Sequence, residues 1–452
     1  MAASASAPLR VAVVGAGWAG LSAAVHAAAR GHRVTLLETA RHAGGRARSV
    51  AHLNADGTKH LLDNGQHILI GAYTETLALM RHVGVQPLTV LRRQPLALQH
   101  PDGSGLVLPD AAAPWNALIG IARARGWGAG ERLALLARAA RWRLGGFRCA
   151  PTTSVADLSR ELPPRVQAEF IEPLCVSALN TAAAQASGAV FLRVLRDALF
   201  APASTAGLRA SDLLLPTVDL GQLLPEPALR WLAERGHAVR LGTRAMRLAR
   251  NPCADGGWLL DGEAFDRVVL ACSATEAARL ARVAAAGADT AEALALENWA
   301  AQTQALRHTA ITTVYARADA PPARHAAATL SAAMLALRSG PQHGPAQFVF
   351  DRGALGGPAG LLAFVISDSP GERDALEAAV RTQAREQLGL GIEVLTSCTE
   401  RRATFACTPA LQRPPQHLAG NLLAAGDYVE GPYPATLEGA VRSGAQAAQA
   451  LA

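Results

Sequence analysis

The sequence predicts an α/β fold: a Rossmann-like dinucleotide-binding domain with a second, mixed α+β domain. Three observations carry that expectation. A glycine-rich turn joins two apolar strands near the N-terminus, an acidic residue closes the second of them, and a strand, loop and Ala-rich helix stand at the C-terminus. At 452 residues the chain exceeds what one compact core usually holds, so two domains are expected. Half of the residues are hydrophobic and 17% are charged, which excludes a mainly disordered chain.

Residues 10–14 (RVAVV) read as a short buried strand. They lead into Gly15-x-Gly17-x-x-Gly20, where Trp18, Ala19 and Gly20 open an Ala-rich helix to about residue 30. Gly31-His32 end the helix, and 33–38 (RVTLLE) form a second strand closed by Glu38. Gly15 permits the tight turn, Gly17 lets a pyrophosphate approach the backbone, and Gly20 lets helix and strand pack closely. Free N–H groups and the helix dipole favour negative charge there. Glu38, 18 positions beyond Gly20, can accept hydrogen bonds from both ribose hydroxyls and would repel a 2′-phosphate. The opening run has a superficial likeness to a secretory leader, but three glycines and His26 interrupt it.

After Glu38 comes ARHAGGRARS, with Gly44-Gly45-Arg46. This run resembles the second fingerprint of flavoproteins of the amine oxidase and phytoene desaturase superfamily. The resemblance implies FAD, with the loop wrapping its diphosphate and Arg46 supplying charge-assisted hydrogen bonds. The C-terminal stretch agrees: a strand over 421–425, Gly426-Asp427, a loop, and a helix from about Thr436. By the same resemblance Asp427 reaches the ribityl chain or diphosphate, and the Leu437 amide at the helix N-terminus faces the flavin pyrimidine edge. Reduced flavin is negative there, so a helix N-terminus stabilises it. The middle segment, HAVRLGTRAMRLARN and GGWLLDGEAFDRVVLACSA, reads as a small sheet with a return strand. The superfamily pattern puts adenine near the backbone of Arg244 and Ala245, and the diphosphate near Ala271. Cys272 reads as a small buried residue. No second G-x-G-x-x-G follows a strand, so no separate NAD(P)H domain is expected and an external donor must recharge the flavin.

One branch is singled out by LLDNGQHILIGAYTETLALMRHVG (61–84). The run Asp63-Asn64-Gly65-Gln66-His67 resembles the signature of the hydroxysqualene dehydroxylases, as do RRATFACTPALQRP (401–414) and GDYVEGPYPATLEGAVRSG (426–444). That resemblance implies hydride delivery from reduced FAD to an allylic carbon as hydroxyl leaves, giving squalene for hopanoid synthesis. A C30 isoprenoid then needs a long apolar tunnel, and the departing hydroxyl needs a proton donor. His67, Asp63, Tyr428 and Tyr433 are the candidates for that catalytic group, with Gly65, Gln66 and His67 also expected at the flavin. The alternatives are an oxidative carotenoid desaturase, an amine oxidase, and a flavin-bound lipid carrier without turnover.

The expected flavin domain comprises 1–94, 226–289 and 396–452; the substrate and membrane-facing domain comprises 95–225 and 290–395. Of 43 basic residues only Lys59 is not Arg, and the net charge is +7. With 4% aromatics and no basic run interleaved with them, nucleic acid is not expected as a partner. Residues 115–148 carry seven Arg, with Trp115, Trp127 and Trp142. There Leu133, Leu135, Leu136, Trp142 and Leu144 alternate with Arg in a helical rhythm. This suits a helix lying in a membrane interface. Six cysteines without a C-x-x-C pair point to a reducing compartment, and no histidine spacing suggests a metal. A cytoplasmic protein, peripheral on the inner face of the membrane, is the resulting expectation.

Overall fold

A computed structural model describes residues 7–53, 59–201, 207–252, 256–319, 329–369 and 371–451; Cys253 lies outside them. The strands Arg10–Val14, Arg33–Glu38 and Arg267–Leu270 are almost entirely apolar and buried, as strands covered on both faces must be. They form the centre of a six-stranded sheet, flanked by Ala238–Leu241 on one side and Leu422–Ala424 on the other. All of these pair in parallel, and His417–Ala419 closes the edge antiparallel. Side chains alternate between faces. Val11 and Val13 pack towards the helices Trp18–Ala29 and Leu437–Gln449, whereas Ala12 and Val14 pack towards the helix Ala274–Ala285. The first and last helices touch through small residues: a Cβ on Gly444 would stand 2.2 Å from the Ala19 carbonyl oxygen. Ser22 Oγ adds a bond to the Val441 carbonyl at 2.7 Å.

A second, antiparallel sheet has the order Met334–Ala336, Phe348–Asp351, Leu361–Ser367, His308–Ala318, Ile392–Phe405. The two-residue period again splits its faces. Val314, Val349, Leu362 and Phe364 pack with Leu376 and Val380 of the helix Arg373–Leu388. Ile311, Met334, Phe348, Phe350 and Val365 are left to face a cavity.

Contacts distant in sequence cross three of the expected domain divisions. Strand Ile392–Phe405 runs unbroken across the 395/396 division and pairs with His308–Ala318 to its last residue. Helix Thr290–Gln304 sits against the flavin-side elements: Arg250 Nε bonds Glu292 at 2.9 Å, and Trp299 Nε1 donates to the Pro415 carbonyl at 2.8 Å. Strands Leu69–Ile70 and Leu91–Gln94 both pair with Leu213–Pro216. Each boundary is crossed by contacts distant in sequence, which composition does not reveal.

The expected interfacial helix also divides. Within Ala129–Leu144, Leu135 and Trp142 are 1% and 8% exposed, seven residues apart on the stripe facing the body. Trp127 is buried as well and donates Nε1–H to Glu169 at 2.8 Å. Leu133 and Leu144, 67% and 90% exposed, form the outward stripe, and Trp115 on the helix Trp115–Ala122 is 63% exposed. Among the described residues no helix is long and apolar enough to cross a membrane.

Candidate functional site

A cavity of about 760 Å³ runs from the carboxyl ends of the parallel strands into the space beneath the second sheet. Its first part is lined by Gly15, Gly17, Trp18, Ala19, Glu38, Gly44, Gly45, Arg46, Arg244, Ala271, Gly426, Asp427, Thr436 and Leu437. Residues from the beginning, middle and end of the chain thus meet at the topological switch point, where open α/β sheets bind ligands.

The glycines act as their spacing requires. Gly15 holds φ +112°, and a Cβ there would stand 2.6 Å from the Ala271 carbonyl oxygen. A Cβ on Gly20 would stand only 1.8 Å from the Gly15 carbonyl oxygen, so Gly20 is packing rather than lining. A Cβ on Gly17 meets nothing closer than Gly45 Cα at 3.9 Å and would fill ligand space instead. The second glycine loop lies across the first, with Gly44 N–H donating to the Ala16 carbonyl at 2.8 Å. Glu38 accepts from the Ala16 and Ala40 amides at 2.7 and 2.8 Å, which aims its carboxylate into the crevice with lone pairs to spare.

Arg46 and Asp427, 381 residues apart, form an ion pair, and Arg46 Nη1 also donates to the Ala403 carbonyl at 2.7 Å. Burial alone would depress the Arg46 guanidinium, but Asp427 outweighs it and holds the charge on. Thr436 caps the last helix, its Oγ accepting from the Gly439 amide at 2.9 Å, and so turns the Leu437 end to the cavity. Two residues lining the same space each carry a buried polar atom without a protein partner, Gln66 Nε2 and the Tyr428 hydroxyl. An open cradle at Gly17, a cation beside it, a helix N-terminus and unmet donors fit a bound FAD.

The catalytic candidates separate. Asp63 is not a lining residue: its carboxylate accepts the Leu220 amide at 2.8 Å, and burial pushes it up to about 6. Asp63 therefore anchors the helix Leu220–Leu223 instead of serving the reaction. His67 lines the cavity, with Nδ1 against the Gly65 carbonyl at 2.9 Å. A carbonyl only accepts, so Nδ1 carries the hydrogen and Nε2 is left with its lone pair. Burial and then Arg46 hold the imidazole below its usual range, despite the Gly65 bond, so it is neutral at pH 7 and suited to accepting rather than giving a proton. Tyr428 and Tyr433 both line the cavity; Tyr433 donates its hydroxyl hydrogen to Asp197 at 3.1 Å. Ala245 is buried outside the lining, and its carbonyl accepts from Arg279 at 2.6 Å. Cys272 lines the cavity, but burial pushes its thiol up to about 12, which removes nucleophilic character.

Three positions in the cavity lining carried no sequence signal. Asn180, in the left-handed conformation at φ 45°, ties the second domain together: its amide nitrogen donates to Thr309 and Thr404 at 2.8 and 2.9 Å. Buried Glu438 accepts from the Glu75 and Thr76 amides and caps the helix Thr74–His82. Asp197 is the third. All act through partners more than 100 residues away.

Beyond the flavin region the lining turns apolar: Ile68, Ile70, Leu96, Leu98, Leu174, Val194, then the sheet residues named above.

A family model described as flavin containing amine oxidoreductase matches residues 18–452. A hydroxysqualene dehydroxylase of Rhodopseudomonas palustris is 28% identical, the match covering 96% of each chain. Another hydroxysqualene dehydroxylase, from Sinorhizobium fredii, is 27% identical over 98% of each. Among solved structures, an oxidoreductase from Methanosarcina mazei superposes with a TM-score of 0.70 at 15% identity, covering 98% of this chain and 100% of its own.

Proposed function

The chain belongs to the flavin containing amine oxidoreductase family and is an FAD-dependent oxidoreductase, and we propose that its reaction is the reductive conversion of hydroxysqualene to squalene. Reduced FAD supplies the hydride. The observation that carries the reading is the apolar chamber opening directly from the flavin crevice, walled by Ile68, Ile70, Leu96, Leu98, Phe348 and Phe350. Such a wall suits a long hydrocarbon and excludes water from a developing allylic cation. The names of both curated relatives support the same substrate class. The chain's residues divide the work. Gly17, Gly45, Arg46, Asp427 and the Leu437 helix end hold and charge-balance the flavin, and the second sheet orients the isoprenoid.

A carotenoid desaturase would use the same parts in the oxidative direction. Product analysis tests the choice. Anaerobic enzyme with photoreduced flavin is expected to turn hydroxysqualene into squalene. Dehydrogenation of phytoene by the oxidised enzyme, with hydroxysqualene untouched, overturns the reading. In the cell an external electron donor reduces the flavin between turnovers.

The substrate's home is a bilayer, and a docking surface on the cytoplasmic face of the membrane belongs to the same proposal. Exposed Trp115, Leu133 and Leu144 stand among Arg141 and Arg143. The helix bearing Trp115 packs on the hairpin Ala97–Gln99/Gly105–Val107, whose Leu98 lines the apolar chamber. Tighter binding to anionic than to neutral vesicles is expected. Leu133→Glu with Leu144→Glu should weaken it at least about tenfold in co-sedimentation. Unchanged binding removes this surface from the account.

A further inference from the structure

Among the described residues one carboxylate lines the cavity away from the nucleotide end, and its position is unusual. Helix Gly188–Leu195 widens into a π-helical turn over Arg196–Phe200, a distortion that often marks functional sites. Asp197 sits in that turn and lines the cavity between Val194 and Ala198. Glu38 and Glu276 stand at the nucleotide end, Asp427 and Glu400 beside Arg46, and Glu438 is occupied with the Thr74–His82 helix. Asp197 stands between Val194 and Ala198 in the lining, one-fifth exposed and ion-paired with the half-exposed Arg196. Its oxygens accept from Arg196 Nε and Nη2 at 2.7 and 3.2 Å, and Oδ2 also takes the Tyr433 hydroxyl at 3.1 Å. Tyr433 lies four residues before Leu437, at the flavin end of the chamber.

We propose that Tyr433 and Asp197 together form the point that recognises the substrate's hydroxyl and protonates it as it leaves. The inference rests on the reductive reading above. The substrate O–H takes the place of the Tyr433 hydroxyl on the Asp197 carboxylate, and the Tyr433 phenol, released from Asp197, turns its single hydrogen to the same substrate oxygen. The carbon–oxygen bond breaks with its electron pair going to oxygen, which takes the Tyr433 proton and departs as water. The carbon receives the hydride supplied by reduced flavin, which is thereby oxidised, and the phenolate regains a proton from solvent through Asp197. Burial, and then Asp197, hold the Tyr433 phenol above its ordinary range, so it keeps its proton until the oxygen leaves. His67, neutral and with its N–H committed to Gly65, is the weaker donor.

The test compares FAD-loaded parent enzyme, Tyr433→Phe and Asp197→Asn. Hydroxysqualene and squalene are titrated into each oxidised form, and binding is read from the flavin absorption. The parent is expected to prefer the alcohol about tenfold, the value of a net hydrogen bond. Both variants should lose that preference and bind squalene as before. In single turnovers of the reduced enzyme, Tyr433→Phe should slow squalene formation at least about 100-fold. An alcohol preference that survives in both variants, or is absent from the parent, overturns the proposal. A parent that prefers the alcohol but makes no squalene when reduced, with the preference lost in both variants, supports the recognition pair and overturns only the reductive function.

Discussion

Gly20→Val abolishes FAD retention while leaving a measurable fold. A Cβ at this position would lie 1.8 Å from the Gly15 carbonyl oxygen and 3.1 Å from Ala271 Cβ. Backbone cannot yield by rotating a side chain, so the first helix must move off the strand that carries the glycine turn. Overpacking of this kind costs about 3 kcal/mol. The larger loss is functional, because the amides at Gly17 and the helix N-terminus no longer point at one place. Purified variant is expected to carry less than about a tenth of the parent's FAD, beyond rescue by added cofactor. Gly287→Ala, whose Cβ would meet nothing within 4 Å, is the control and should retain full flavin. Equal flavin in the two variants would contradict the role given to the first turn.

Arg46→Ala should be nearly as damaging, for an electrostatic reason. Arg46 pairs with Asp427, whose side chain is only 7% exposed. Truncation leaves that carboxylate buried without its partner, a cost of about 3 kcal/mol. It also removes the cation that balances the anionic cofactor. The FAD dissociation constant should rise at least about 100-fold, with a lower melting temperature even in the apoprotein. Arg46→Lys should recover little, since a single ammonium cannot serve Asp427 and the Ala403 carbonyl in the guanidinium's fork. Unaltered affinity in Arg46→Ala would make the pair merely structural.

The crevice that fits a flavin was legible in the sequence because each of its parts needs an unusual residue at a fixed spacing. Gly15, Gly44 and Gly45 hold positive φ, Glu38 ends a strand, and Thr436 caps a helix. These are local demands, and local demands leave a local trace. The rest was hidden where a residue's role depends on a distant partner. Asp63 accepts from the Leu220 amide 157 residues on, and Asp197 meets Tyr433 236 residues on, so neither role leaves a mark at its own position. The helix Ala129–Leu144 shows why amphipathic rhythm is ambiguous. The body and a membrane ask for the same periodicity, so only the packing shows that Leu135 and Trp142 serve the first and leaves Leu133 and Leu144 outside. Strand Ile392–Phe405 likewise pairs with His308–Ala318 over its whole length, across the expected 395/396 division, through contacts that no local residue signals.

Separated stretches of chain meet around one crevice that fits a flavin and opens onto an apolar chamber. The most direct measurement is the visible spectrum of the purified protein, with released FAD counted per chain and squalene then titrated in. One FAD per chain and a saturable shift of the flavin band on adding squalene are predicted. Protein that neither retains nor takes up FAD, or whose flavin band ignores saturating squalene, would contradict it.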